Sequence, residues 1–130
     1  MADLEARYGP LGSRRCPTGG AVLTTAGWLP AQWVLHAVGP IWRGGRSREE
    51  ELLRSAYATA FRLADEAGAL SIALPSISTG VYGYPVDLAA PVALDAVRTA
   101  LGAAASIERA TFVLFSDATE RAFADRLAVI

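Results

Sequence analysis

Short apolar runs of strand length alternate along this chain with longer segments whose apolar residues recur at helical spacing. The strand-like runs cover residues 21–25, 33–38, 69–74 and 110–115. Strands that alternate with helices usually form a parallel sheet, because each connecting helix packs on one face of that sheet. The pattern therefore predicts a three-layer α/β/α fold around a central mixed, largely parallel sheet.

The first long helical segment follows the second strand-like run. Three glutamates, residues 49–51, occupy its predicted first turn, where a helix dipole favours acidic side chains. Gly68 stands just past its last turn, in the position that commonly ends a helix. Its predicted apolar stripe consists of Leu52, Leu53, Ala56, Ala60, Leu63 and Ala67.

Two further helices are predicted. Pro85 fits the first position of the second helix, because its missing N–H costs nothing there. The predicted buried stripe of that helix consists of Val86, Ala89, Ala90, Ala93, Val97 and Leu101. Asp117 and Glu120 have the spacing of a capping box that opens the last helix. The inner face of the last helix is predicted to be Ala122, Phe123 and Leu127.

Length and composition predict one folded domain over residues 1–130. Hydrophobic residues make up 52% of the chain and charged residues 19%, which favours a packed core over disorder. No apolar stretch approaches the roughly 20 residues of a membrane span, and the N-terminal residues do not resemble a signal peptide. Cys16 is the only cysteine, so an internal disulfide is excluded. We therefore expect a cytoplasmic protein without membrane contact.

Charge and residue spacing argue against two classes of partner. The formal net charge is −1 and most basic residues are scattered, which is unlike the dense basic face of a nucleic-acid-binding protein. No combination of histidine, cysteine and carboxylates has the spacing of a metal centre. The sequence therefore predicts no metal, no cofactor and no nucleic-acid partner.

Residues 74–85 read LPSISTGVYGYP and connect a predicted buried strand to a predicted helix. Ligands of α/β sheets bind beyond the carboxyl ends of strands, so such a segment is a candidate site. Its small side chains leave backbone N–H groups uncovered, and the hydroxyls of Ser78 and Thr79 add donors, which suits an anion such as phosphate. It has neither the lysine of a P-loop nor the glycine spacing of a dinucleotide-binding motif. Alternatively, it is an ordinary tight connection, because glycine also serves turns.

The stretch S-I-S-T-G-V-Y-G-Y-P resembles the signature of macrodomains, the ADP-ribose-binding family. Residues 16–42, CPTGGAVLTTAGWLPAQWVLHAVGPIW, are similar to the family's segment from C-x-T-G to V-I-H-x-V-G-P. The segment ATFVLFSDATERAF is similar to its last strand and helix. The resemblance therefore extends over nearly all of the chain from about Cys16 onward.

The resemblance implies roles for individual residues. The residues that would hold the diphosphate and ribose, largely through backbone amides, are Ser78, Thr79, Gly80, Val81, Tyr82 and Gly83. Tyr82 would lie against the ribose and phosphates, and Phe115 would pack against adenine. Alternatively, Phe115 is a core residue that ends a strand, and Tyr82 is a hydrophobic plug. His36 is expected to be a hydrogen-bonded structural residue, and Cys16 an inert residue that is at least partly buried.

The chain departs from the family pattern in its N-terminal part. It contains no asparagine and therefore no N-A-A-N motif, and the family's G-D-[IV] strand and Gly-rich loop are also absent from the sequence. In the family, the N-A-A-N strand lies between the strand before the S-T-G loop and the V-I-H strand. We therefore expect a domain that is incomplete at its N-terminus. Three alternatives would compensate for the missing strand. The strand before the S-T-G loop and the V-I-H strand could pair directly, or they could accept a strand from another chain, as in a homodimer. In the third alternative, the native protein begins upstream of Met1.

Three functions remain open from the sequence. The first is an enzyme that hydrolyses ADP-ribosyl esters on proteins or O-acetyl-ADP-ribose, for which no catalytic residue is recognisable in this chain. The second is a module that binds ADP-ribose or an ADP-ribosylated protein without turnover. The third is a fragment or interaction protein that has no ligand site.

Overall fold

The computed structural model of the protein describes residues 16–127. Strands and helices alternate along this part of the chain as the hydrophobic pattern predicts. The elements are β1 (Ala21–Thr25), β2 (Trp33–Ala37), α1 (Glu49–Glu66), β3 (Ser71–Leu74), α2 (Val86–Gly102), β4 (Arg109–Phe112) and α3 (Asp117–Leu127). The predicted α/β class is confirmed.

The strands form two separate pairs. β1 and β2 are antiparallel, with Leu23 opposite Leu35, while β3 and β4 are parallel, with Ile72 opposite Ala110. Within residues 16–127, no backbone ladder joins β2 to β3, so the central sheet is divided into two two-stranded sheets. The alternative in which these two strands pair directly is therefore wrong for the described chain.

Helix α1 holds the two sheets together. Its buried face carries Leu53, Tyr57 and Phe61, which belong to the main hydrophobic cluster together with Ile72 of β3. Leu35 of β2 packs against this cluster and also against a smaller one formed by Ala21, Ala60 and Leu63. Because α1 covers strands of both sheets, burial of apolar surface replaces the missing hydrogen-bonded connection between them.

Helix α1 ends as the sequence predicts. Gly68 has φ +88°, and its N–H donates to the carbonyl of Asp65, while the N–H of Ala69 donates to the carbonyl of Ala64. These two bonds form a Schellman motif, whose left-handed residue favours glycine. The prediction that Gly68 follows the last turn is therefore confirmed.

The start of α2 differs slightly from prediction. Pro85 is the N-cap of α2, with φ −59° and ψ 127°, and the first helical residue is Val86. Along the predicted stripe, Ala89, Ala90 and Ala93 are buried, and their small size allows α2 to pack closely on α1.

The end of strand β4 and the N-cap of helix α3 differ from the prediction. β4 ends at Phe112, not at residue 115, because β3 ends at Leu74 and the following proline has no N–H to donate. The predicted capping role of Asp117 is wrong, since the hydroxyl of Ser116 accepts a hydrogen bond of 3.1 Å from the N–H of Thr119.

Only part of the predicted inner face of α3 is buried. Phe123 is buried against the main cluster, but Leu127 is 59% exposed. Leu127 lines an open cavity of about 750 Å³ between α2, β4 and α3, which explains its exposure. Over the described residues, no helix combines the length and apolar character needed to cross a bilayer.

Candidate functional site

The connection between β3 and α2, residues 75–85, is called the β3–α2 loop here. Its first residues are fixed by the hydroxyl of Tyr57, which donates to the carbonyl of Pro75 at 2.7 Å and accepts from the N–H of Ile77 at 2.8 Å. Tyr57 belongs to the buried face of α1. Burial raises the pKa of its hydroxyl well above the usual value, so the proton that it donates is retained.

The middle of the β3–α2 loop is closed by its own hydrogen bonds. The N–H of Tyr84 donates to the carbonyl of Ser78 at 2.9 Å, and the N–H of Gly83 donates to the carbonyl of Gly80 at 3.0 Å. The hydroxyl of Thr79 lies within bonding distance of both the carbonyl and the hydroxyl of Ser76. The Thr79 hydroxyl and the Gly83 amide, which the sequence offered as ligand donors, are therefore engaged within the loop.

The far end of the loop is held by Trp42. Its backbone N–H donates to the carbonyl of Tyr82 at 2.9 Å, and its ring lies 4.6 Å from the ring of Tyr84, at 47° between planes. Tyr84 is buried, with 3% of its surface exposed. The loop is thus fixed at both ends while its tip faces solvent.

The tip of the loop carries consecutive backbone N–H groups that form no hydrogen bond with the described residues. Among the described residues, the N–H groups of Ser78, Thr79, Gly80, Val81 and Tyr82 donate to no protein acceptor. Gly80 and Val81 are exposed, so water or a ligand can reach this part of the loop. Successive free amides on a fixed backbone favour an anion, because each contributes a partial positive charge. This is the feature that the composition of the loop predicts.

Ser78 is the unusual residue of the loop. Its φ is +68°, a conformation that costs free energy for a residue with a Cβ. Its hydroxyl is buried and has no hydrogen-bond partner within residues 16–127. Backbone strain and an unsatisfied polar group together mark this position as one that the surrounding structure holds in place.

The segment that carries Trp42 continues into residues 43–48, which are organised by Glu49. The carboxylate of Glu49 is buried and accepts from the N–H groups of Arg43, Gly45 and Ser47. Burial by itself would raise the pKa of this carboxyl, but the backbone N–H groups around it outweigh that effect and lower the pKa. Glu49 is therefore an ionised anchor of this segment.

A cavity of about 210 Å³ lies between this segment and the tip of the loop. Tyr82 lines one side of it, and Gly39, Arg43 and Glu49 contribute to the other. The larger cavity near Leu127 is lined mainly by apolar side chains and does not include any residue of the β3–α2 loop. The smaller cavity therefore belongs to the candidate site and the larger one does not.

Phe115 lies at the same end of the sheet as the β3–α2 loop. β3 and β4 are parallel, and the N–H of Val113 donates to the carbonyl of Leu74, so both chains leave the sheet side by side. Phe115 is 93% exposed, which excludes the alternative that it is a core residue. Tyr82 is 41% exposed and lies at the loop tip. Two accessible rings thus accompany the free amides.

The two other residues that the sequence analysis considered, His36 and Cys16, have surroundings typical of structural residues. Nε2 of His36 lies 3.0 Å from Oγ1 of Thr24 on the neighbouring strand, which confirms a hydrogen-bonded residue. Cys16 is partly buried, and burial raises the pKa of its thiol, which disfavours the reactive thiolate. Residues 16–127 contain no cluster of three or more histidine, cysteine or acidic side chains that could hold a metal ion.

The sequence analysis missed the residues that support the loop. Tyr57 lies on the buried face of α1, and a buried tyrosine needs a partner for its hydroxyl, so its presence there was a usable signal. Glu49 was expected only to favour the helix dipole. The predicted strand-like run ends at residue 38, and no local pattern indicates that Gly39, the next residue, approaches Ser78.

Comparisons with known proteins identify the family of this chain. The family model described as "Macro domain" matches residues 2–93. The O-acetyl-ADP-ribose deacetylase of Enterobacter cloacae is 50% identical over 104 residues, which cover 80% of this chain and 58% of the relative. This chain spans about 58 to 65% of the length of three curated relatives that are 50 to 56% identical to it.

Two solved structures have the same fold. The Oceanobacillus iheyensis macrodomain with ADP superposes with a TM-score of 0.87 at 36% identity, covering 97% of this chain and 66% of the other. The Trypanosoma brucei macrodomain in complex with ADP-ribose superposes with a TM-score of 0.78 at 33% identity, covering 88% and 47%. The predicted macrodomain-like fold is confirmed by these similarities.

Proposed function

This chain belongs to the macro domain family, and we propose that it binds ADP-ribose through the β3–α2 loop. The observation that carries the proposal is the run of N–H groups from Ser78 to Tyr82 that donate to no acceptor in the described part of the chain. A diphosphate offers several anionic oxygens, and charge-assisted hydrogen bonds from backbone amides are stronger than neutral ones. No lysine is required, which is consistent with a chain that contains none.

The two exposed rings take the other parts of the ligand in this proposal. Tyr82 lies against the ribose and phosphates, and Phe115 stacks on adenine, because a flat aromatic face is complementary to a base. Gly80 and Gly83 take part in the site through their backbone, because glycine has no side chain. Gly83 acts through its φ of +73°, since its N–H is already engaged.

Hydrolysis of ADP-ribosyl esters on proteins or of O-acetyl-ADP-ribose is the activity favoured by similarity to relatives that bear the deacetylase name. A general base must lie within hydrogen-bonding reach of the attacking water. Of the described residues, Glu49 is the carboxylate lining the cavity beside the loop, and its oxygens already accept three backbone N–H groups. This occupation favours a second candidate, in which the chain binds ADP-ribose or an ADP-ribosylated protein without turnover.

Titration calorimetry with ADP-ribose tests binding, and a substitution at Gly80 tests the assigned loop. A Cβ at Gly80 would meet nothing within 4 Å and its φ is not positive, so a side chain is tolerated there. Gly80→Glu should abolish binding because its carboxylate would occupy the phosphate position, whereas Gly80→Gln, of equal size and no charge, should bind more tightly than Gly80→Glu. Equal affinities of the wild type and Gly80→Glu would refute the loop assignment.

Turnover is tested separately with O-acetyl-ADP-ribose and with an ADP-ribosylated protein. Release of acetate or of ADP-ribose above the rate of the Gly80→Glu variant would support the enzyme. Binding with no release would support the module without turnover. No binding of ADP-ribose by the folded wild type would refute both candidates.

A further inference from the structure

Gly39, just beyond β2, lies against the β3–α2 loop. A Cβ placed on Gly39 would lie 2.2 Å from the hydroxyl oxygen of Ser78 and 2.3 Å from Cγ2 of Ile77. Real Cβ atoms do not approach other atoms this closely. The backbone of Gly39 is outside the left-handed region, so the requirement for glycine here is steric and not conformational.

The two atoms that such a Cβ would meet are each one bond from the Cβ of Ser78 or Ile77, so they can move away only by rotation about χ1 or together with the backbone of the loop. Ile77 is held by the hydrogen bond from its N–H to Tyr57 at 2.8 Å. Ser78 is held by the bond from the N–H of Tyr84 to its carbonyl at 2.9 Å. A side chain on Gly39 would therefore force new χ1 rotamers on Ile77 and Ser78, or displace the backbone at the start of the loop tip.

We propose that Gly39 is a positioning residue for the anion-binding amides of the β3–α2 loop. Its missing side chain lets Ile77 and Ser78 lie against the end of β2, with Ser78 at φ +68° and its hydroxyl buried. That arrangement leaves the N–H groups from Ser78 to Tyr82 without an acceptor in residues 16–127. The inference rests on the proposed function, because positioning is measured through the affinity for ADP-ribose.

The test compares Gly39→Ala with Gly102→Ala. Gly102 is also outside the left-handed region and has open space around its Cβ position, so it is a matched control at the end of α2. Gly39→Ala should weaken ADP-ribose binding at least about tenfold, a change of about 1.4 kcal/mol. Gly102→Ala should bind as the wild type does. Equal affinity of Gly39→Ala and wild type would overturn the inference.

A measurement without ligand separates this inference from the proposed function. In ¹H–¹⁵N spectra of the free protein, Gly39→Ala should shift the amide resonances of residues 76–84 and leave those of β4 and α3 in place. If the wild type does not bind ADP-ribose, the proposed function fails, and these shifts alone decide whether Gly39 positions the loop. Unmoved loop resonances would overturn the positioning role.

A double variant covers the case in which Gly39→Ala fails to fold. Ser78→Ala removes the nearer of the two clashing atoms and leaves Cβ of that residue at an ordinary contact distance of 3.5 Å. The change Gly39→Ala should therefore cost less, in folding and in affinity, when Ser78→Ala is also present. The same loss in both backgrounds would mean that the contact with Ser78 does not position the loop.

Discussion

The hydroxyl oxygen of Tyr57 accepts a hydrogen bond of 2.8 Å from the backbone N–H of Ile77. The same hydroxyl donates to the carbonyl of Pro75, so one buried side chain satisfies two backbone groups of the β3–α2 loop. Helix α1, which packs against both sheets, therefore also fixes the start of the candidate site. The hydrophobic core and the candidate site are linked through this residue.

Tyr57→Phe should destabilise the protein and weaken ADP-ribose binding. The change removes two part-buried hydrogen bonds, one to the carbonyl of Pro75 and one from the N–H of Ile77, which together contribute about 1 to 3 kcal/mol. Chemical denaturation measures the stability, and titration calorimetry measures the affinity. Tyr84→Phe is the matched control for stability, because the Tyr84 hydroxyl forms no hydrogen bond with any described residue. Equal stability of Tyr57→Phe and Tyr84→Phe would contradict the anchoring role.

Glu49→Gln should loosen residues 43–48 and reduce affinity for ADP-ribose. A glutamine amide has one acceptor oxygen, so it cannot accept all the N–H groups that the carboxylate of Glu49 receives. Trp42, which directly precedes these residues, would then hold the carbonyl of Tyr82 less firmly. Hydrogen exchange of the Gly45 and Ser47 amides should accelerate.

Glu50→Gln provides the control for that prediction. Glu50 is exposed in the same first turn of α1, and its side chain forms no hydrogen bond with the described part of the chain. Glu50→Gln therefore removes the same charge without removing any bond to residues 43–48. Its hydrogen exchange and affinity should match those of the wild type. Equal effects of the two substitutions would show that charge, and not the bonds to the backbone, is responsible.

The sequence predicted elements better than it predicted the contacts that position the site. Helix periodicity and Gly68 placed α1 correctly, because these signals are local. The capping role of Asp117 was wrong because Ser116, one residue earlier, offers a hydroxyl at the right distance. The anchors Tyr57 and Glu49 act on residues whose position depends on tertiary packing. No pattern in the sequence alone specifies which backbone groups they meet.

For the β3–α2 loop too, the sequence predicts local features but not the contacts that depend on the folded chain. The small residues of 75–85 predicted uncovered amides, and those from Ser78 to Tyr82 donate to no acceptor among the described residues. It could not be predicted that the hydroxyl of Thr79 and the amide of Gly83 are used inside the loop, because those bonds follow from its exact turns. The contact between Gly39 and Ser78 joins two distant segments, which composition does not indicate.

Asp65 should make stability depend on pH in the acid range. Backbone N–H groups of Ala105, Ile107 and Ser106 lower the pKa of its carboxyl from 3.8 to about 2. Because the folded pKa is lower than the unfolded one, the contribution is fully present above 3.8 and is lost as pH falls toward about 2. Denaturation series across this interval should show a falling free energy of unfolding.

Asp65→Asn should flatten that acid dependence and lower stability at neutral pH. The asparagine side chain does not titrate, and its amide nitrogen cannot accept the N–H of Ala105. Asp125→Asn, an exposed change of the same type on α3, should retain the wild-type slope. An unchanged slope in Asp65→Asn would assign the acid dependence to other carboxylates.

Phe115→Ala should reduce ADP-ribose affinity without destabilising the fold. The ring is 93% exposed, so its removal should change the free energy of unfolding by less than about 0.5 kcal/mol. Stacking on a base contributes about 1 to 3 kcal/mol, so affinity should fall about 5- to 150-fold. Trp28→Ala, which removes an equally exposed ring in the β1–β2 connection, should leave affinity unchanged. Because ribose 5-phosphate has no base, Phe115→Ala should bind it as the wild type does. An equal loss of affinity for ADP-ribose and for ribose 5-phosphate would exclude adenine as the group that Phe115 contacts.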